Sequence, residues 1–158
     1  MSNEIKRNLE LVEEGIPNHQ SILEKLDKAL RDESYKVQLL TNNISLGLSN
    51  LVMPDGVSSS GWVDDSAWLA LRFSSAFSNL DFDTVLVLSK VYNSQESGIE
   101  GTLEDVLTLL SSRELLEKEN IDITLTLLRN IFHELVAQEE YILLRYKNAL
   151  SEIEAITL

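Results

Sequence analysis

Two stretches of the sequence, one near each end, carry apolar side chains at alternating steps of four and three residues. The N-terminal stretch contains Ile5, Leu9, Val12, Ile16, Leu23, Leu26 and Leu30. The C-terminal stretch contains Ile121, Leu125, Leu128, Phe132, Leu135, Ile142, Tyr146, Ala149, Ile153 and Ile156. Because steps of three and four return to the same side of a helix, each set lies on one helix face. The pattern therefore predicts two long helices, each with an apolar face that packs against a partner.

One polar residue interrupts each stripe, His19 in the first and Glu139 in the second. When two helices pair antiparallel, residues at the same height have numbers with a constant sum. A register that matches Ile5 with Ile153 also matches His19 with Glu139. We therefore predict that His19 and Glu139 form a buried polar pair between the first and last helices. The alternative is that each lies at the edge of its seam and reaches solvent, and a register shifted by one heptad would separate them.

The first helix is predicted from about Asn3 to Asp32, although Pro17 lies within it. An interior proline removes a backbone hydrogen bond and costs about 3 kcal/mol. The apolar stripe keeps its phase across Pro17, which favours one kinked helix over two separate helices. Residues 35–51 fit a helix, and a short alternation over 44–49 also fits a strand. We predict a helix there because the sequence offers no second convincing strand as a partner.

The middle of the chain is predicted to contain one loop and several shorter helices. The loop covers residues 51–63, where Pro, Gly and Ser cluster. After it, Asp64 or Asp65 can cap one helix, and Asp81 or Asp83 can cap the next.

A break is predicted near Ser97 and Gly98, and residues 102–105 have the spacing of a capping box that would begin the following helix. Asn120 or Asp122 then begins the long last helix. A chain of 158 residues with six Gly and two Pro suits one domain made of long helices. We therefore predict a single all-α domain over residues 1–158, an antiparallel helical bundle with long first and last helices.

The formal net charge of −13 narrows the classes of partner. Residues 93–122 hold eight acidic side chains, with only Arg113 and Lys118 as cations. Such a surface repels phosphate, so we predict no binding to nucleic acid and no direct binding to anionic membranes. The acidic face either is simply solvated or meets a basic protein partner. Self-repulsion favours a monomer, unless an apolar patch on the long terminal helices overrides it.

Motifs for catalysis and metal binding are incomplete throughout the sequence. The absence of cysteine excludes disulfides, thiolate metal ligands and Cys nucleophiles. Neither of the two histidines, His19 and His133, lies in a catalytic serine frame. His133 and Glu134 begin like a zinc-protease helix, but Ala137 stands where the second histidine belongs. We therefore assign no catalytic, cofactor-binding or metal-binding residue, and we predict no cofactor.

Several aromatic residues in the middle of the chain could line a ligand pocket, namely Trp62, Trp68, Phe73, Phe77 and Tyr92. Aromatic residues at helical spacing are more typical of a core, and we predict that role. No apolar run approaches the ~18 residues of a membrane span, and the first residues do not form a signal peptide. The chain as given is therefore expected to be soluble.

Four short segments carry a resemblance to a known family, namely Glu4-Ile5-Lys6-Arg7-Asn8-Leu9, Ala67-Trp68, Leu80-Asp81 and Leu88-Ser89-Lys90-Val91-Tyr92-Asn93-Ser94-Gln95. Together they resemble the helical domains of uncharacterised bacterial single-pass membrane proteins. In these proteins a transmembrane helix leads into a long helix that opens Glu-Ile-x-x-Asn-Leu, followed by a Trp and a Leu-Ser-x-x-Tyr-x-x-Gln segment. The resemblance covers nearly the whole chain, but this sequence lacks the transmembrane helix. It implies a bacterial membrane tether, and no known activity or site residue.

The function predicted from the sequence is that of a non-enzymatic helical interaction or sensing domain, the soluble part of a membrane-tethered protein. Two alternatives stay open. One is a carboxylate-based metal-binding helical-bundle enzyme, which would use residues such as Glu134 and Glu139. The other is a small acidic inhibitor of a basic protein partner.

Overall fold

The structure of the chain, a computed structural model, describes residues 1–40, 43–53 and 63–157, with side chains described as far as residue 154. Seven α-helices lie in these ranges: α1 Ser2–Arg31, α2 Glu33–Leu40, α3 Ile44–Val52, α4 Ser66–Arg72, α5 Phe82–Ser94, α6 Gly101–Ser111 and α7 Ile121–Thr157. Short 3-10 turns lie at Ser75–Asn79 and Lys118–Asn120, and a π-helical turn lies at Gln95–Glu100. The described ranges contain no strand, and the all-α prediction is confirmed.

Helices α1 and α7 are the longest elements and pair antiparallel along their length. Ion pairs cross between them at three heights: Lys6 with Glu154 at 3.5 Å, Glu13 with Lys147 at 3.0 Å and Asp27 with Arg129 at 2.6 Å. In each pair the two residue numbers add to nearly the same total, as an antiparallel register requires. The start of α1 and the end of α7 therefore lie at the same end of the bundle.

The two apolar stripes meet in the seam between α1 and α7 and supply ten of the 23 buried apolar residues in the described part of the chain. Ile5, Leu26, Leu125, Leu135 and Tyr146 are each fully buried there. Helices α5 and α6 cover another side of α7. Burying a large apolar side chain contributes about 1.5–3 kcal/mol, so these stripes supply a substantial part of the driving force for folding.

Helix α1 runs without interruption through Pro17, which confirms the prediction of one helix. Pro17 lies on the exposed side of α1. A proline has no N–H to donate to the carbonyl four residues earlier, which here belongs to Glu13. Because Glu13 is exposed as well, water can reach that carbonyl and reduce the cost of the proline.

The ambiguous segment is helical, but it forms two helices, α2 and α3. Asn43 caps α3 by accepting a hydrogen bond from the Leu46 N–H at 3.1 Å. Leu51 and Val52 are buried in the last turn of α3, so the prediction that the loop begins at residue 51 is wrong. The rest of that predicted loop, residues 54–62, lies outside the described residues.

The predicted break near Ser97 and Gly98 is wrong. The chain stays helical from Phe82 to Ser111, passing from α5 to α6 through the π-helical turn at Gln95–Glu100. The capping box predicted at residues 102–105 is therefore not used. Thr102 is inside the helix, and its hydroxyl donates to Oε1 of Gln138 on α7 at 2.9 Å. Packing against α7 outweighs the local turn signal of Gly98.

Two helix starts in the middle of the chain follow the predicted caps. Asp81 caps α5, and its carboxylate accepts from the Thr84 N–H at 2.9 Å. Residue Asp65 occupies the cap position of α4, although Asp64 supplies the side chain that accepts from the Ser66 N–H at 2.9 Å. Hydrogen bonds to these N–H groups lower the pKa of the Asp64 and Asp81 carboxyls.

Candidate functional site

His19 on α1 and Glu139 on α7 lie face to face in the seam. Nδ1 of His19 is 2.8 Å from Oε1 of Glu139. The Glu139 side chain is 3% exposed and that of His19 is 14% exposed. The sequence-predicted site residues are thus brought together at the height that the antiparallel register gives them, and the reading in which each reaches solvent does not describe Glu139.

The His19 and Glu139 side chains are closely packed by their neighbours. A side chain at Gly15 would begin 3.2 Å from Oε1 of Glu139, so the glycine permits the close approach of α1. The Phe132 ring lies 5.9 Å from the His19 ring. Oε2 of Glu139 is buried without a hydrogen-bond partner among the described residues. The pair therefore combines one strong polar contact with one unsatisfied oxygen atom.

A second buried polar group, which sequence reasoning missed, lies nearer the start of α1. We call it the Glu4 cluster, and it consists of Glu4, Asn8, Asp64, Tyr92, Gln95 and Tyr146. At its centre, the Tyr92 hydroxyl donates to Oε1 of Glu4 at 2.6 Å. Oε2 of Glu4 accepts from the Ala67 N–H at 2.6 Å and from the Ser66 hydroxyl at 3.2 Å. Both oxygens of this 7%-exposed carboxylate are thus engaged.

Asn8 extends the cluster one helical turn along α1 and is fully buried. Its amide Nδ2 donates to the Asp64 carbonyl at 2.6 Å, and its Oδ1 accepts from the Asp64 N–H at 2.9 Å. Arg7, on the same side of α1, pairs with the Asp64 carboxylate. Glu4, Arg7 and Asn8 therefore clamp the segment that begins α4.

Gln95 connects Asn8 on α1 to Tyr146 on α7. Its Oε1 accepts from the Tyr146 hydroxyl at 2.9 Å and from Asn8 at 3.3 Å. Burial raises the pKa of Tyr92 and of Tyr146, and the negative charges of Glu4 and Glu100 reinforce the effect. Both phenols therefore remain protonated donors over the ordinary pH range.

Glu100 borders the cluster at the end of the π-helical turn. Burial raises the pKa of its carboxyl, and the charges of Asp65, Glu96 and Glu104 act in the same direction. A hydrogen bond with Gln95 opposes the rise in that pKa. π-Helical turns often occur at functional sites, but here the turn delivers Gln95 to a structural network.

The aromatic residues of the middle segment divide between core and surface. Trp68 and Tyr92 are buried and stacked, with ring centroids 5.2 Å apart and planes 2° apart. Phe77 packs against the edge of Trp68 at 6.1 Å. The core prediction is wrong for Phe73, which is 89% exposed because α4 ends at the preceding residue. Trp62 lies outside the described residues.

Ten large apolar side chains are exposed in the described part of the chain. Eight of them lie three or four residues from another one: Phe82 with Leu86, Ile123 with Leu127 and Tyr141 with Leu144 lie within helices, and Leu69 with Phe73 spans the end of α4. Residues at these spacings lie side by side on a helix surface. The exposed apolar area is therefore grouped into ridges and is not scattered.

A signal for the Glu4 cluster was present in the sequence. The residues that carried the family resemblance include Glu4, Asn8, Trp68, Tyr92 and Gln95, and all five meet at this end of the bundle. Their spacing of three or four residues within each segment placed them on the buried flank of a helix. A pattern search based on apolar residues counts Glu and Asn as exposed positions, so it did not identify these residues as buried.

Within ranges 1–40, 43–53 and 63–157, no group of three or more His, Asp or Glu side chains is placed to hold a metal ion. None of the helices so described is both long and apolar enough to cross a membrane. Comparison with known proteins found no matching family model, no matching curated protein and no matching solved structure.

Proposed function

We propose that this chain is a non-enzymatic helical module that binds another protein. The observation that supports the proposal is the arrangement of exposed apolar side chains in pairs, three of which lie on helix surfaces. A single exposed apolar residue is ordinary, whereas grouped ones are typical of interaction surfaces. Protein recognition by helices uses anchors at spacings of three, four and seven residues, which is the spacing of these pairs.

The hydrogen bonds of the Glu4 cluster support a structural role for this cluster, which leaves recognition to the surface of the chain. In the Glu4 cluster, both oxygens of Glu4 and both ends of the Asn8 amide are bonded to the protein's own groups. Polar atoms that are satisfied in this way fix the geometry of a core. They would have to give up these bonds before they could bind a substrate, which costs free energy.

Membrane tethering is part of the same proposal and rests on the family resemblance. Four of the residues that carry the resemblance, Glu4, Asn8, Tyr92 and Gln95, come from segments far apart in sequence and meet in the Glu4 cluster, which supports reading them as the signature of one structural unit. A transmembrane helix joined ahead of α1 would reach the bundle at the end where α7 finishes, beside Glu154. The reading frame upstream of Met1 tests this part of the proposal directly.

Site-specific photo-crosslinking tests the binding function. We would place p-benzoylphenylalanine at Tyr141 or Phe73, within two of the apolar pairs, and at Gln20 on the polar side of α1 as the control. Irradiation in cells that encode the chain is expected to yield a discrete adduct from one of the first two positions and none from Gln20. Equal labelling at all three positions would contradict a specific binding surface.

Metal analysis separates this proposal from the carboxylate-enzyme alternative. Stoichiometric iron, manganese or zinc in the purified protein would favour the enzyme. The acidic-inhibitor alternative predicts a complex that is held mainly by charge and therefore dissociates in salt. A complex held by the apolar pairs is expected to survive about 0.5 M salt, because screening does not weaken apolar contacts.

A further inference from the structure

The side of α7 that faces away from α1 repeats the heptad spacing of the buried side. We call it the outer face of α7, and it consists of Ile123, Leu127, Asn130, Glu134, Ala137, Tyr141 and Leu144. All seven residues are exposed. Each lies two positions after a member of the buried stripe, which places the outer face on the opposite side of the helix. Helix α7 therefore carries two heptad stripes, of which the described chain covers one.

The apolar residues of this face stand at its two ends. Ile123 and Leu127 form one ridge, Tyr141 and Leu144 form the other, and their exposures range from 38% to 64%. Leu127 and Tyr141 are two heptads apart, which is about 21 Å along the axis. A compact small molecule does not span that distance. A second helix can, because a heptad spacing keeps its side chains facing α7 along the whole length.

The centre of the outer face is acidic. Residues 130–140 contain three glutamates and neither Lys nor Arg. Glu139 points inward to His19, whereas Glu134 and Glu140 are exposed. Glu134 accepts a hydrogen bond from Gln138 at 3.0 Å and has no cation beside it among the described ion pairs. A partner that covers this face must therefore bring a positive charge to its middle.

A second copy of this chain does not meet that requirement. Antiparallel pairing that covers Leu127 with Tyr141 sets Glu134 against Glu134 of the other copy, and parallel pairing in register does the same. Like charges in contact disfavour a complex, and each copy already carries −13. The two apolar ridges are suited to contact with another helix. The acidic centre favours a helix that carries a positive charge at that position.

We propose that the outer face of α7 binds a partner helix of at least about 22 residues, with apolar side chains near both ends and a Lys or Arg opposite Glu134. This inference rests on the proposed function and specifies its partner class. The two apolar ridges and the Glu134 carboxylate lie on one line along α7. The partner must therefore carry its apolar side chains and its cation at matching spacings on one helix face, which an arbitrary basic protein does not.

Two synthetic helices test the proposal with the full chain. Both are about 28 residues long, carry Leu at the four positions that match the apolar ridges, and differ only at the central position, which is Lys in one and Glu in the other. Binding is measured by fluorescence anisotropy. We expect the Lys peptide to bind about tenfold more tightly than the Glu peptide. The Glu134→Lys variant is expected to reverse that order.

Matched variants locate the binding. Leu144→Asp is expected to weaken binding of the Lys peptide about tenfold or more, and Leu46→Asp on α3 is the control with similar exposure and no expected effect. Circular dichroism checks that each variant is folded. Equal affinity for the two peptides, equal effects of the two variants, or concentration-dependent dimers of the chain alone would overturn the inference. If one of these results is obtained while Tyr141 still gives a specific photo-adduct, the proposed binding function is retained and only the helical partner is rejected.

Discussion

Nδ1 of His19 lies 2.8 Å from Oε1 of Glu139, and this contact is the one hydrogen bond that the buried carboxylate makes within the described chain. A buried charge costs several kcal/mol of desolvation unless partners compensate for it. His19 is that partner. Removing His19 should therefore cost more stability than removing Glu139. Without His19 the carboxylate is buried and unpaired, whereas without Glu139 only an imidazole at the edge of the seam loses its partner.

The first prediction follows from this asymmetry. His19→Leu is expected to lower the free energy of unfolding by about 2–4 kcal/mol, since it leaves Glu139 buried and unpaired. Glu139→Leu is expected to cost less than about 1.5 kcal/mol. The double variant His19→Leu, Glu139→Leu is expected to be more stable than His19→Leu alone, because two apolar residues fit a seam lined by Phe132. Urea denaturation of the four proteins measures the coupling.

The exposed pair Glu13 and Lys147 is the control for that cycle. It lies on the same two helices, 3.0 Å apart, with both side chains about half exposed. Exposed ion pairs typically contribute less than about 1 kcal/mol, so its coupling energy should be small. A His19 and Glu139 coupling no larger than that of the control would show that the buried contact contributes nothing special to stability.

The second prediction concerns alkaline pH. Burial raises the folded-state pKa of Tyr92 and Tyr146, so both remain protonated in the folded chain while the unfolded chain loses these protons above about pH 10. The unfolded state then binds fewer protons, and stability falls as pH rises. The variant with Tyr92→Phe and Tyr146→Phe should lose less stability than the wild type between pH 9 and pH 11. Parallel stability curves for the two proteins would contradict the protonated network.

The third prediction is that replacing Gly47 and Gly101 by alanine changes the stability of the chain in opposite directions. A Cβ at Gly47 would lie 2.4 Å from the Leu39 carbonyl oxygen, so Gly47→Ala would push α3 away from α2 and is expected to cost about 1–3 kcal/mol. A Cβ at Gly101 meets nothing closer than 3.7 Å, in helical backbone. Gly101→Ala should therefore stabilise by about 0.5–1 kcal/mol. Thermal unfolding of the two variants tests both signs, and equal effects would contradict the close contact between Gly47 and the Leu39 carbonyl.

The long helices, their antiparallel register and the height of His19 against Glu139 could be predicted from the sequence. Heptad spacing over many turns is a strong signal for the helices. The spacing alone also allows registers shifted by a heptad, and matching the two polar interruptions favours the register that the structure has. Pro17 did not obscure the helix because the stripe kept its phase on both sides. The sequence also predicted where α4 and α5 begin, but it left two candidate caps for each helix, Asp64 or Asp65 and Asp81 or Asp83.

The Glu4 cluster and the continuous helix across Gly98 could not be predicted in the same way. Both depend on contacts between residues far apart in sequence, such as Glu4 with Tyr92 and Thr102 with Gln138. Local patterns rank Glu as exposed and Gly as a helix breaker. Tertiary hydrogen bonds and packing against α7 reverse both preferences. The spacing within one segment puts Glu4 and Asn8 on one flank of α1, but it does not show which distant residues they contact.

Glu100 gives the last prediction. Burial raises the pKa of its carboxyl in the folded chain, so folding disfavours the charged form. At neutral pH, above both the folded and the unfolded values, the charge is a cost to the folded state. Glu100→Gln should therefore stabilise the chain at pH 7, by a few tenths of a kcal/mol up to about 1 kcal/mol because the group is only partly buried. As the pH falls through the folded pKa toward the ordinary value near 4.5, the wild type recovers that stability and the difference should disappear. Glu24→Gln, exposed on α1 and not among the carboxylates that raise the pKa of Glu100, is the control for the removal of one negative charge from a chain of −13. An equal gain in stability from both substitutions at pH 7 would assign the effect to overall charge and not to the burial of Glu100.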